Sequence, residues 1–136
     1  MQLNTYLHFK DNCEAALQYY VQHLGAKIGM VHRYGGSPAM GMAPADFGNK
    51  ILHAELHLGG TTLYCSDCPP NQYAPQAGFG LSLNVASLAE AESIFGALAE
   101  GGKIGMPLQK SFFAERFGVA RDRFGIPWMV IFGQPS

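Results

Sequence analysis

The feature that most constrains this 136-residue chain is that it nearly repeats itself. The segment Gly25-Ala26-Lys27-Ile28-Gly29-Met30 recurs as Gly101-Gly102-Lys103-Ile104-Gly105-Met106, an offset of 76 residues. Carried upstream, the same offset lays Glu14 on Glu90, Ala15 on Ala91 and Tyr19 on Phe95. It also lays Asp11 on Ser87, and each opens a capping-box pattern, Asp11-x-x-Glu14 and Ser87-x-x-Glu90. Helix starts therefore coincide under an offset chosen from helix ends, and the chain carries two copies of one unit. Its length suits one domain and is too short for two ordinary ones.

The period of the apolar residues fills in each copy. A first helix over about residues 12–24 buries Cys13, Ala16, Leu17, Tyr20, Val21 and Leu24 on one stripe, and Gly25 suits the left-handed position that ends it. A second helix over about residues 88–100 buries Leu88, Ala91, Ile94, Phe95 and Leu98. Strands are predicted over residues 3–9, 28–33, 51–58 and 61–66 in the first copy. The second copy gives 81–85, 104–109, 118–121 and 127–132. Gly59-Gly60 and Asp122-Arg123-Phe124-Gly125 read as the two hairpin turns. The expectation is an α+β fold of two βαβββ modules, residues 3–67 and 80–133, joined by a proline-bearing link over 68–79. A helix covers one face of each sheet, so the other face must close on a second unit or another subunit. The loop over residues 35–49 is rich in Gly, Pro, Ala and Met and has no assigned role.

Composition narrows the function classes. Nine Lys and Arg against ten Asp and Glu give a net charge of −1, without the basic stripe of a nucleic-acid binder. With 48% apolar and 14% charged residues, against about 25% charged in an ordinary chain, disorder is excluded. Sixteen aromatics exceed what so small a core needs, which places some on a cavity wall or a subunit interface. No apolar run is long enough to span a membrane, the first residues lack a signal-peptide pattern, and three cysteines are too few for a disulfide scaffold. These readings predict a soluble cytoplasmic protein with neither nucleic-acid nor membrane partners.

Several side chains carry candidate chemistry. Strand alternation puts His53, Glu55 and His57 on one face, opposite Ala54, Leu56 and Leu58. The three polar groups extend along about 13 Å of strand and cannot all reach one ion, although either histidine could pair with Glu55. The face is either a polar cavity wall or a solvated surface. Cys65-Ser66-Asp67-Cys68 is a Cys-x-x-Cys, but Pro69-Pro70 follows it where a redox motif would open a helix. Free thiols that titrate ordinarily are expected. Phe112, Phe113 and Phe117 with Trp128 either roof an apolar pocket or pack a core, and Arg116 or Arg121 could hold an anionic group.

Two βαβββ modules in so few residues resemble the vicinal oxygen chelate superfamily of glyoxalase I, bleomycin-resistance proteins and extradiol dioxygenases. Three stretches are similar to its PhnB-like branch: Tyr6-Leu7-His8-Phe9-Lys10-Asp11-Asn12-Cys13-Glu14-Ala15, His53-Ala54-Glu55-Leu56, and Asp122-Arg123-Phe124-Gly125-Ile126-Pro127-Trp128. The resemblance covers essentially the whole chain. It implies sheets curled around a cavity and dimerisation that completes the sites. Metal-dependent members carry a His or Glu on the first and last strands of each module. The matching positions here are Asn4, about Tyr64, Gly80 and Met129, and none is an imidazole or carboxylate. If Asn4 marks the cavity face, Tyr6 and His8 share it. The resulting expectation is a small organic ligand bound in the cleft of a homodimer, without the family metal and with no cofactor. It would contact Asn4, Tyr6, His8, His53, Glu55, Tyr64 and Trp128. A metal-dependent lyase, isomerase or dioxygenase of glyoxalase type is the alternative.

Overall fold

The computed structural model describes residues 1–134 and divides the chain into two compact units, Met1–Ala74 and the part from Pro75 onward. In the first unit, β1 (Tyr6–Phe9) leads into α1 (Cys13–Leu24), followed by β2 (Lys27–Arg33), β3 (Ile51–Leu58) and β4 (Thr61–Asp67). In the second, β5 (Leu81–Val85) leads into α2 (Leu88–Ala99), then β6 (Lys103–Gln109), β7 (Arg116–Arg121) and β8 (Pro127–Phe132). The sheets have the same order, β1-β4-β3-β2 and β5-β8-β7-β6. The first strand of each pairs in parallel with the fourth, and the other pairs are antiparallel. The fold is α+β with two βαβββ modules.

In the first unit the helix-side core gathers Leu7, Phe9, Cys13, Ala16, Leu17, Tyr20, Ala54, Leu56 and Cys65, all buried. Burial alternates over residues 54–57 of β3 and 62–65 of β4 as the two-residue period requires, and β4 ends in the buried run Cys65-Ser66-Asp67. Val21 departs from the expected stripe and is 40% exposed. In the second unit Ala91, Phe95 and Leu98 of α2 pack on Ala120, Trp128 and Val130. Gly118 allows that approach: a Cβ there would lie 2.6 Å from the Phe95 ring.

The two helix starts differ. Ser87 caps α2 by accepting from the Glu90 N–H at 3.1 Å, as its motif predicts. The Asp11 capping box does not form. Asp11 takes a positive φ of 68°, Asn12 occupies the cap position without a side-chain cap bond, and Glu14 turns to Arg33 at 2.8 Å. The N–H of Cys13 instead donates to Oδ1 of Asp67, 54 residues away at the end of β4. Oδ2 of the same buried carboxylate accepts from the N–H of Ile51 at 2.8 Å, and the Tyr34 hydroxyl donates to the Asp67 carbonyl. The middle of the Cys-x-x-Cys is therefore a fastener joining α1 to the first residue of β3.

Candidate functional site

Because Leu7, Phe9, Ala54, Leu56, Leu63 and Cys65 point toward α1, their neighbours on β1, β3 and β4 share the face turned away from that helix. Register fixes who meets whom. Tyr6 lies opposite Tyr64, His8 opposite Ser66, and Tyr64 opposite Glu55. His57 lies opposite Thr62.

Four rings form a contiguous patch on this face. Tyr6 stacks on His8 with centroids 4.8 Å apart and planes 20° apart. Tyr6 meets His53 at 5.5 Å and Tyr64 at 6.0 Å, and His53 meets Tyr64 at 4.9 Å. The Tyr6 hydroxyl lies 2.9 Å from Nδ1 of His53. Burial of the phenol raises its pKa, and the nearby Cys65 and Cys13 thiols add to the effect against a hydrogen bond from Ser66. The phenol therefore keeps its proton, and its oxygen either donates to Nδ1 or accepts from it according to the imidazole tautomer.

Polar groups edge the patch. Oε1 of Glu55 accepts from the Met30 N–H at 3.3 Å. His57 Nδ1 lies 3.0 Å from the Thr62 hydroxyl, and the Asn4 amide donates to the Thr62 carbonyl at 2.9 Å. Gly29 on β2 makes room for two of these side chains. A Cβ there would lie 2.6 Å from His57 Nε2 and 2.9 Å from Glu55 Oε1. β2 bulges at this point, with a register shift between Ile28 and Val31.

Six of the seven residues expected to contact a ligand thus lie in the first unit and share one region: Asn4, Tyr6, His8, His53, Glu55 and Tyr64. Trp128 does not lie on the face of its own sheet turned away from α2. It sits on the side of β8 that α2 covers, is 1% exposed, and donates its indole N–H to Oδ2 of Asp122 at 2.8 Å. Oδ1 of Asp122 accepts from the N–H groups of Phe124 and Ile126, so Trp128 packs a core and braces a turn. Arg121 Nη1 donates to the carbonyls of Gln76 and Gly125, and Arg116 to that of Glu115. Phe112 is 92% exposed beside Phe113, whose ring meets Phe117 at 4.9 Å.

The inherited metal positions offer a poor donor set. The Asn4 amide is engaged with a backbone carbonyl, and Tyr64 contributes a phenol. Gly80 has no side chain, and a Cβ there would lie 3.1 Å from the Met129 methyl. Among the described residues no three His, Cys, Asp or Glu side chains form a metal-holding group. The cysteines are free, but Cys65 departs from the ordinary titration expected of it. Burial pushes its thiol up to about 12, and Cys13 is raised further by burial beside Cys65 and Asp67. Among the described residues no helix is long and apolar enough to cross a membrane.

The fold, two βαβββ modules, is the one seen in solved proteins of glyoxalase/bleomycin-resistance type. Residues 1–131 match the family model described as 3-demethylubiquinone-9 3-methyltransferase, and the chain belongs to that family. It is 34% identical over 138 residues to Protein YjdN of Escherichia coli K12, covering 96% of this chain and 94% of that one. It is 45% identical to the crystal structure of protein PA1353 from Pseudomonas aeruginosa, with TM-score 0.87 and 98% of each chain covered. Two more distant structures share the fold. A Bacillus cereus PhnB protein is 23% identical with TM-score 0.84 over 98% of this chain and all of that one. A Frankia glyoxylase/bleomycin resistance protein/dioxygenase domain is 18% identical with TM-score 0.69 over 98% and 92%.

Proposed function

We propose that this protein binds a small organic ligand on the face of its first module turned away from α1, as a homodimer and without the divalent ion of its metal-dependent relatives. The observation that carries this reading is the four-ring patch of Tyr6, His8, His53 and Tyr64, edged by Glu55 and Asn4. A solvated strand face has no need of contiguous rings, whereas a binding surface uses them to bury a ligand at little conformational cost. Trp128 takes no part in it.

Glyoxalase-type chemistry requires three or four fixed N, O or S ligands around the ion. An engaged amide, a phenol, an empty glycine position and a thioether do not supply them, so no step is routed through a metal. The prediction is less than stoichiometric Ni, Zn, Mn or Fe after dialysis, with no lactoylglutathione lyase activity. Elemental analysis and a standard lyase assay check both parts. The ligand reading is tested by screening small aromatic fragments against isotope-labelled protein. Hits should shift the resonances of Tyr6, His53 and Tyr64. A screen whose hits all fall elsewhere would remove the site.

The dimer rests on the two outer strands. β2 exposes Ile28, Met30 and Val31, and β6 exposes Ile104 and Met106. Unpaired apolar edges of this kind call for a partner surface. The three free thiols suit a reducing compartment such as the cytoplasm.

A further inference from the structure

We infer that the ligand of this face is a planar organic cation, an N-alkylated or protonated heteroaromatic ring system. The inference rests on the binding face proposed above and adds the chemical class of what binds.

Three observations carry it. The first is geometric. Tyr64 lies in register between Tyr6 on β1 and Glu55 on β3, so two phenol rings and a carboxylate occupy one row across the sheet. The Tyr6 and Tyr64 rings stand at 66° to each other with centroids 6.0 Å apart. A flat ligand stacked on one ring therefore meets the other near its edge. The second is electrostatic. Phenol faces carry negative quadrupole density and attract a cation within about 6 Å of the ring centroid. Glu55 adds a formal negative charge in the same row. Its bond from the Met30 N–H occupies one site of a group that offers about four acceptor positions. The third is the placement of the cationic side chains. Lys27 lies opposite His57 at the far end of β3, two residues beyond Glu55 on that strand. Arg33 is drawn toward Glu14. No arginine or lysine stands in the row of Tyr6, Tyr64 and Glu55, so an anionic ligand would meet Glu55 without a counter-charge beside it.

The imidazoles complete the recognition. His53 packs its ring against Tyr64 with centroids 4.9 Å apart and ties Tyr6 into the patch through Nδ1. His8 extends the stacking surface by lying nearly parallel to Tyr6.

The test uses three probes of similar size and shape at pH 8: N-methylquinolinium as the cation, quinoline as the neutral ring and 2-naphthoate as the anion. Affinity is read by calorimetric titration, and the site by shifts at Tyr6, His53 and Tyr64. The expected result is at least about tenfold tighter binding of N-methylquinolinium than of 2-naphthoate. Glu55→Gln should collapse that ratio. Tyr64→Phe should keep it, and Tyr64→Leu should weaken the cation most. Thermal melts of each variant separate loss of the row from loss of the fold. If 2-naphthoate or quinoline binds as tightly as the cation while shifting the same three residues, the cationic class is wrong and the binding face stands. If no probe shifts them, both fall. A tenfold preference that survives Glu55→Gln would overturn the part given to the carboxylate.

Discussion

Asp67 shows how much one side chain can organise. Its buried carboxylate accepts the first N–H of α1 and the first N–H of β3, two donors that lie 38 residues apart in sequence. Removing it strands both donors away from water. Asp67→Ala is therefore expected to cost about 3 kcal/mol or more, measured by urea unfolding, and Asp67→Asn somewhat less because one oxygen remains. The thiols around it make a second prediction. Cys13 and Cys65 are fully buried and Cys68 is not, so a thiol reagent at pH 8 should modify Cys68 first and the other two only on unfolding. The proton linkage has a definite sign. Folding raises the Cys65 pKa from 9.0 to about 12, so its contribution to stability is complete below about pH 9 and is lost as pH climbs toward 12. A stability profile of Cys65→Ala should fall less steeply over that window than the wild type.

At the scale of elements, periodicity carried the assignment far. β3, β5 and β8 have the expected ends, and both helices lie within a residue of theirs. β3, β5 and the helices carry their own apolar period, and β8 is a short apolar run bounded by a turn, so local pattern dictates them. The sequence was silent where a partner comes from far along the chain. Asp11 and Glu14 have the spacing of a capping box, but a remote carboxylate and a remote arginine outcompete the local bonds. The placement of Trp128 is illegible for a related reason. A large ring on an apolar strand suits a cavity or a core equally, and only the register with Ala120 beside α2 decides it. Gly118 yields a prediction that belongs to this scale. Gly118→Ala puts a methyl group into the Phe95 ring, forcing α2 off its sheet. A loss of about 1–3 kcal/mol is expected by thermal or denaturant unfolding, and rescue by Phe95→Leu in the double mutant would confirm the contact.

For the whole molecule, the repeat explains the architecture, and the copies diverge in the side chains they place on it. The backbone plan is shared down to strand order. The side of the first sheet away from α1 carries Tyr6, His8, His53, Glu55 and Tyr64, while positions facing away from α2 on β7 and β8 are Phe117, Val119, Arg121, Pro127, Met129 and Ile131. Alternation groups His53 with Glu55 and Tyr6 with His8, the family resemblance adds Tyr64, and the strand register joins Tyr6 to Tyr64 and Tyr64 to Glu55. The Gly59-Gly60 hairpin sets Tyr64 beside Glu55 locally, but the pairing of Tyr6 with Tyr64, 58 residues on, leaves no local trace in a sequence. The hexapeptide that reveals the repeat becomes the outer strand of each sheet, with its isoleucine and methionine exposed. A dimer burying more than about 1,000 Å² would cover such edges. Light scattering at micromolar concentration should return twice the chain mass, and Met30→Glu with Met106→Glu should shift it toward the monomer.

The Asp67 fastener also bears on the order of events during folding. It cannot close until β4 has reached both α1 and β3, which makes it a late, long-range contact with a high loop-closure cost. A mutation that weakens it should leave the refolding arm of a chevron almost unmoved and steepen the loss on the unfolding side, with a φ-value near zero. The carboxylate would then act less as a guide to the native state than as a latch on it, setting how long a folded molecule stays folded.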